Sequence, residues 1–382
     1  MPSAKAARLV SGRAGAGARR ELVFAISADY ERRTGGWIYD ERLMRELASG
    51  GWRVRELTLP AGFPHPDEEA RAQSAAAFAE LPDGTLVVAD QLCLGVLPEV
   101  AEREAQRLRL VMIVHHPLAL ERNGGSEADP FARSEREALR HVRLAIVTSQ
   151  VTALYLGEQF GVPASRIAVA VPGTDPRPLA PGSGGAVPSL LSVGAVVPRK
   201  DHGTLIAALN DLADEPWRLT IAGNTTRAPD HVAKIRRQIE SCGLADRVTL
   251  AGELTDAALD DAWRGADLYV AASRHEGFGM AIAEAISRGL PVVTTEAGAV
   301  SEWLSSRAAL IVPPDDAVSL RAALARALRE PEMRASLRRG ASEQRMHLPR
   351  WQETAALVDA ALTRVIAGSA PTKHPAGRMT QA

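Results

Sequence analysis

At 382 residues the chain is longer than a single hydrophobic core usually grows, so two domains are expected. Apolar residues make up 46% and charged residues 24%, an ordinary globular composition, and a net charge of -1 leaves no overall field to draw the protein to nucleic acid. Cys93 and Cys242 stand in no CxxC or metal spacing, which points to plain thiols in a reducing, cytoplasmic setting.

The first twenty residues hold Lys5, Arg8, Arg13, Arg19 and Arg20 and no acid. They lack the apolar stretch of a secretory signal and are read as a disordered basic tail over 1–20, with peripheral contact at the inner face of a membrane as the other reading. No apolar run reaches the roughly 18–20 residues of a spanning helix.

From Glu21 onward, short apolar runs alternate with longer amphipathic ones. Strands are predicted at 21–27, 52–59, 84–90, 109–116, 143–149 and 166–172, with helices near 38–49, 66–80, 98–107, 132–141 and 150–160. Continuous Val, Ile and Leu strands separated by helices predict a parallel sheet covered on both faces, placed at 21–175. Pro, Gly and Ser crowd the next stretch, and 176–188 is read as a linker. A second series follows, with strands at 189–195, 217–223, 246–252, 266–273, 290–296 and 308–314. Its helices lie near 202–213, 229–241, 256–264 and 280–288, and helical segments at 316–346 and 351–367 close the chain. The second domain is placed at 189–348. A terminal helix over 349–368 is free to pack back on the first domain, and 369–382 is read as a disordered tail. The fold class is therefore α/β, two doubly wound Rossmann-like domains. Such sheets bind ligands outside the carboxyl ends of their strands, which puts a ligand between the domains.

The most informative segment is Ser273-Arg-His-Glu-Gly-Phe-Gly-Met-Ala-Ile-Ala-Glu284, which follows a strand and opens a helix. Gly277 and Gly279 are expected to let the backbone approach a ligand. The first helical amides, from about Phe278 through Met280 and Ala281, suit phosphate or sugar oxygens. Glu276 on the loop and Glu284 one turn into the helix fit a polyol–phosphate grip. On these residues alone the acids also read as solvated positions and the glycines as serving the turn.

Here the chain resembles the retaining glycosyltransferases of family 4, of the GT-B fold, whose mark is E-x7-E. It reads Glu276-x7-Glu284 with Gly-Phe-Gly directly after the first acid. The resemblance extends over 190–209, 219–223, 246–273, 289–304 and 313–324, and loosely over the first domain. It implies that Glu276 meets donor sugar hydroxyls, that Glu284 holds the ribose, and that the loop amides meet phosphate and sugar. Leaving diphosphate needs positive charge as the glycosidic bond breaks. The family supplies an Arg and then a Lys for this. Lys200 matches the Lys, Ala195 stands where the Arg is usual, and Arg199 is expected to take over its task. In the first domain Gly35 and Gly36 match a glycine-rich loop near the donor phosphates, and His115 matches a His that reaches the donor sugar. His116 stands where an Asp often follows, and Glu121 is a candidate for acceptor hydroxyls. Asn224 and the Glu253-Leu254 pair end two further second-domain strands, the latter where family backbones often meet the base.

The candidate catalytic residues are thus His115, Glu276, Arg199 and Lys200. The candidate substrate-binding set is Gly35, Gly36, Asn224, Leu254, Gly277, Phe278, Gly279, Met280, Ala281 and Glu284. No DxD, GK[ST], HExxH or GxSxG occurs, so neither a metal nor a cofactor is expected beyond the nucleotide-diphosphate sugar itself. By resemblance, a hexosyl group passes with retention from a UDP- or GDP-sugar to a glycan, lipid-linked or small-molecule hydroxyl. The rival readings are a sugar-nucleotide epimerase or phosphorylase of the same fold and a catalytically decayed nucleotide-sugar-binding protein. An NAD oxidoreductase is set aside for want of GxGxxG.

Overall fold

The computed structural model describes residues 9–10, 20–31, 34–122 and 129–368. Lys5, Arg8, Arg13, Arg19, the Glu121 side chain and the tail from 369 lie outside the described residues.

The first sheet is built from β1 (Leu9–Val10), β2 (Glu21–Ser27), β3 (Arg53–Leu59), β4 (Leu86–Asp90), β5 (Arg109–Val114), β6 (Leu144–Val147) and β7 (Ile167–Val169). Its helices are α1 (Gly35–Ser49), α2 (Glu68–Ala79), α3 (Gln91–Leu94), α4 (Pro98–Glu104), α5 (Pro130–His141) and α6 (Gln150–Phe160). The strand order is β1-β3-β2-β4-β5-β6-β7, parallel throughout except that β1 runs antiparallel to β3. Leu9–Val10 therefore correct the reading of 1–20 as wholly unstructured. Two β-prone residues find backbone partners at Arg55 and Val54 on the sheet's open edge, a long-range pairing no local pattern announces.

The second sheet comprises β8 (Ser189–Val193), β9 (Arg218–Ala222), β10 (Val248–Gly252), β11 (Leu268–Val270), β12 (Val292–Thr295) and β13 (Ala309–Val312). Its helices are α7 (His202–Asn210), α8 (Pro229–Ser241), α9 (Asp256–Arg264), α10 (Met280–Ser287), α11 (Val300–Trp303), α12 (Ala317–Arg329) and α13 (Pro331–Gln344). The order β10-β9-β8-β11-β12-β13 reverses direction between β8 and β11, which creates a crevice at their carboxyl ends. The segment 316–346, read as one helical stretch, is broken at Glu330. Pro331 has no N–H to continue the ladder and starts a new helix at its first position instead.

Each sheet is covered by apolar side chains on both faces. The α1 face of the first sheet is completed by the last helix, α14 (Trp351–Ala367), whose Trp351, Val358 and Leu362 are buried with Tyr39, Leu43 and Val54. Thr354 Oγ1 donates to the Val171 carbonyl at 2.7 Å, so the end of the chain is tied to the domain where it began. Among the described residues no helix is long and apolar enough to cross a membrane.

Candidate functional site

The crevice between β8 and β11 receives two loops. After β8, Pro198–Lys200 forms one 3-10 turn, and Asp201 caps α7 by accepting from the Thr204 amide at 3.4 Å, with the Thr204 hydroxyl donating to its other oxygen at 2.7 Å. After β11, the chain runs through Ser273–Gly279 into α10. The Arg274 amide donates to the Arg199 carbonyl at 2.8 Å, and the Arg274 guanidinium lies 3.2 Å from Asp201 and 2.6 Å from Asp315. These contacts lash the two loops together, and their functional side chains meet. Lys200 Nζ donates to Glu276 Oε1 at 2.5 Å, and Ser273 Oγ donates to the same oxygen at 2.6 Å. Arg199 Nη1 donates to the His275 carbonyl at 2.8 Å and lies 3.6 Å from Glu276 Oε2.

Glu276 is 7% exposed. Burial pushes its carboxyl upward, but the charges of Lys200 and Arg199 with the Lys200 and Ser273 hydrogen bonds outweigh that and hold it down at about 2. It is an anion throughout the working range. Glu284, half-buried on α10, lies 3.1 Å from Arg288, which also pairs with Asp260 at 2.8 Å. Burial first, then the charge of Glu276 and more weakly of Glu284, raises the Tyr269 phenol, so both acids act on one hydroxyl beneath the crevice.

The glycines also serve the packing of the two domains. A Cβ on Gly277 would lie 2.0 Å from the His115 carbonyl oxygen of the other domain, so its bareness permits domain-to-domain approach. Thr148 Oγ1 seals the junction, donating to that carbonyl at 2.7 Å and lying 3.4 Å from the Gly277 oxygen. Gly36 likewise gives room to the His115 ring, whose Cδ2 would stand 2.9 Å from an added Cβ. Gly279 caps α10 at φ 91° without a side-chain cap, so the first amides, of Met280 and Ala281, keep their donors free of helical partners. The Met280 side chain is lodged between the cores of both domains, its sulfur 3.6 Å from where a Gly35 Cβ would be. The Phe278 ring is buried and stacked on Trp303 at 5.2 Å, and its carbonyl accepts from Trp303 Nε1 at 2.9 Å, so the amide expected to meet a ligand is its remaining backbone group.

At the edge of the second sheet, Asn224 is occupied by the fold. Its carbonyl accepts from the Thr226 and Arg227 amides at 2.9 and 2.8 Å, and its amide donates to Glu253 at 2.9 Å. Leu254 beside them is half-buried.

On the first domain, Thr34 caps α1 and sets Gly35 and Gly36 beneath the cleft. His115, just past β5, lies edge-on to Tyr39 at 5.3 Å, with Nε2 3.3 Å from Asp40 Oδ1. Asp40 and Asp90 are both fully buried, and an atom of each lies within 4.8 Å of the other and of a His115 nitrogen. Burial lowers the His115 imidazole, but the charge and contact of Asp40, and the charge of Asp90, raise it overall. The sequence reading missed both aspartates. The available signal was Asp40 in register with Leu43, Met44 and Leu47, an acid on the apolar face of its helix. Also missed was Glu302 of α11, whose carboxylate accepts from the Gln150 amide at 3.1 Å and from that of Val151, capping a first-domain helix from the second domain.

Residues 182–344 match the family model of glycosyl transferases group 1. A lipopolysaccharide core biosynthesis mannosyltransferase of Rhizobium meliloti is 39% identical over 26% of this chain and 29% of its own length. A mannosylfructose-phosphate synthase of Agrobacterium fabrum is 28% identical over 58% of this chain and 53% of its own. The chain thus aligns with less than two thirds of either relative. The Anabaena HepE structure in complex with UDP-glucose superposes with a TM-score of 0.72 at 19% identity, covering 90% of this chain and 99% of that one, which shows the shared two-domain fold.

Proposed function

The chain carries a glycosyl transferases group 1 domain at 182–344, and from that premise we propose that it is a retaining, metal-independent glycosyltransferase. It moves a hexosyl group from a nucleotide-diphosphate sugar to an acceptor hydroxyl. The observation that carries the reading is the convergence of Arg199 and Lys200 on Glu276 at the mouth of α10. Two fixed cations and uncapped helix amides suit a diphosphate, and an ionised carboxylate beside them suits sugar hydroxyls.

In this mechanism the acceptor oxygen attacks the anomeric carbon on the face the diphosphate leaves. The acceptor proton passes to a departing phosphate oxygen, and the C–O bond to the diphosphate breaks. The protein's part is positioning and charge stabilisation: Lys200, Arg199 and the Met280 and Ala281 amides receive the developing charge. Glu276 and Glu284 orient sugar and ribose, and His115 approaches the sugar from the first domain. UDP is the first base to test, because the HepE structure of the same fold holds UDP-glucose, with GDP as the second. A glycan, lipid-linked or small-molecule acceptor would enter along the first-domain loops, and the basic N-terminal segment would support peripheral membrane contact if the acceptor is lipid-linked.

A thermal-shift panel of UDP-, GDP- and ADP-sugars, followed by turnover with and without sugar acceptors, tests the reading. Stabilisation by one nucleotide class and acceptor-dependent release of its diphosphate, unaffected by EDTA, are expected. Proton NMR of the product should show the donor's anomeric configuration kept. Conversion of donor without acceptor would favour an epimerase, and binding without any turnover a decayed site.

A further inference from the structure

We propose that Asp40, with Asp90 behind it, is a positioning residue that keeps His115 protonated and turned so that its far nitrogen donates into the cleft. The inference rests on the reading of His115 as a donor-facing group and adds what makes that group effective.

Two carboxylates buried side by side repel each other, and a cation lodged beside them stabilises both. His115 occupies that place, with Nε2 3.3 Å from Asp40 Oδ1 and all three groups within 4.8 Å. The groups that face the ring come from three elements. Asp40 and Tyr39 reach it from α1, Asp90 stands at the end of β4, and Cys93 on α3 sits close enough to feel both acids. His116 follows in sequence, and the Glu276-Gly277 loop closes over the backbone.

Nε2 is the ring nitrogen that stands 3.3 Å from Asp40 Oδ1, and the other ring nitrogen is Nδ1. In a neutral imidazole whose proton sits on Nε2, Nδ1 is an acceptor and repels phosphate or hydroxyl lone pairs. In the imidazolium it becomes a donor. One proton therefore decides whether the first domain attracts or rejects the oxygens of a donor held by the second. The net upward push on the His115 imidazole agrees with this arrangement.

The test is a ¹⁵N-histidine NMR titration of the full chain, with His115 assigned through His115→Gln, alongside UDP-glucose and GDP-glucose calorimetry from pH 6 to 9. In the wild type, His115 should titrate above the ordinary value of about 6.5, and nucleotide affinity should fall as pH rises through that point. In Asp40→Asn the His115 titration should move down from its wild-type position, and the affinity profile should move down with it. A wild-type titration at or below the ordinary value overturns the inference without any variant, so a fold defect in Asp40→Asn cannot hide the answer. An unmoved titration in folded Asp40→Asn, or an affinity profile that ignores a moved one, overturns it too. If His115→Gln binds nucleotide and turns over like the wild type, the site reading itself fails, a result distinct from either of these.

Discussion

The two halves of the site hold charge in opposite ways. On the second domain, Glu276 is met at 2.5 Å by Lys200 and flanked by Arg199, and its carboxyl is held at about 2. On the first, Asp40 and Asp90 are buried beside His115, whose imidazole burial lowers and their charges raise overall. Fixed ion pairs give a grip indifferent to pH, whereas a buried acid–imidazole cluster gives one that responds to it. On the proposed reading the second domain would hold the diphosphate across the working pH range, and the first would favour the donor more strongly when its histidine is charged.

The largest expected effect breaks the fixed half. Without a ligand, Glu276 occupies the very cations that a diphosphate would take, so the acid acts as a stand-in for substrate. Glu276→Gln should lower kcat by about 10³-fold, because the sugar loses its orienting anion. It should also tighten UDP or GDP binding several-fold, because Lys200 and Arg199 are released. Steady-state kinetics with calorimetry reads both. Weaker nucleotide binding together with the lost turnover would mean that the carboxylate builds the cation site rather than filling it. The linkage has a definite sign: a depressed carboxyl contributes stability above the ordinary value of 4.5 that is lost as pH falls toward 2.

A second comparison sharpens the first by ranking the cations. Lys200 touches the carboxylate directly, whereas Arg199 stands at 3.6 Å and spends a donor on the His275 carbonyl. Lys200→Met should cost about 10²-fold in kcat/KM and Arg199→Met several-fold less. The reverse order would mean that Arg199 has fully taken the task left open at Ala195.

Much of this was legible in the sequence, and the exceptions share a cause. Helices α6, α8, α9 and α14 begin and end where periodicity and caps put them, because an apolar stripe bounded by Ser149 and Gly161, for example, is local information. Glu276, Arg199 and Lys200 were singled out by the family resemblance and by their place on strand-to-helix loops, and the structure brings the three together. The break at Pro331 was equally local, and it was passed over because the apolar pattern continues on both sides. What stayed hidden depends on distant partners. Gly277 is shaped by a carbonyl 162 positions away, Phe278 by Trp303, and Asp40 by Asp90 and His115. A single acid in an amphipathic helix looks the same whether it faces water or another buried acid.

Between the halves lies the contact that sets their distance. Glu302 caps α6 across the domain boundary, adding a negative charge to a helix start already capped by Ser149. Glu302→Ala should leave kcat within about threefold while raising the donor KM by up to about fivefold, in line with a lost cap of about 1 kcal/mol shared with the cost of closure. Small-angle scattering should show a wider unliganded molecule. An unchanged KM with an unchanged profile would make the cap ornamental to domain spacing, which would then rest on contacts such as those of Gly277, Thr148 and Met280.

The smallest expected effect lies behind the first half. Glu135 of α5 is fully buried, and its Oε2 accepts from the Leu118 amide at 2.9 Å, steadying the chain just past His115 and His116. Burial pushes this carboxyl up to about 8, the Leu118 bond pulling it down and the Asp90 charge adding to the rise. The sign is opposite to that of Glu276. Between the ordinary 4.5 and about 8 the folded protein keeps a proton that the unfolded chain releases, so stability falls as pH rises through that window. Glu135→Gln keeps an acceptor for Leu118 and removes the titration. Its Tm should match the wild type at pH 5 and exceed it by roughly 2–4 °C at pH 8. A gap that stays constant with pH would mean that Glu135 is ionised in the folded state. The contrast between a pH-indifferent half and a responsive one would then rest on His115.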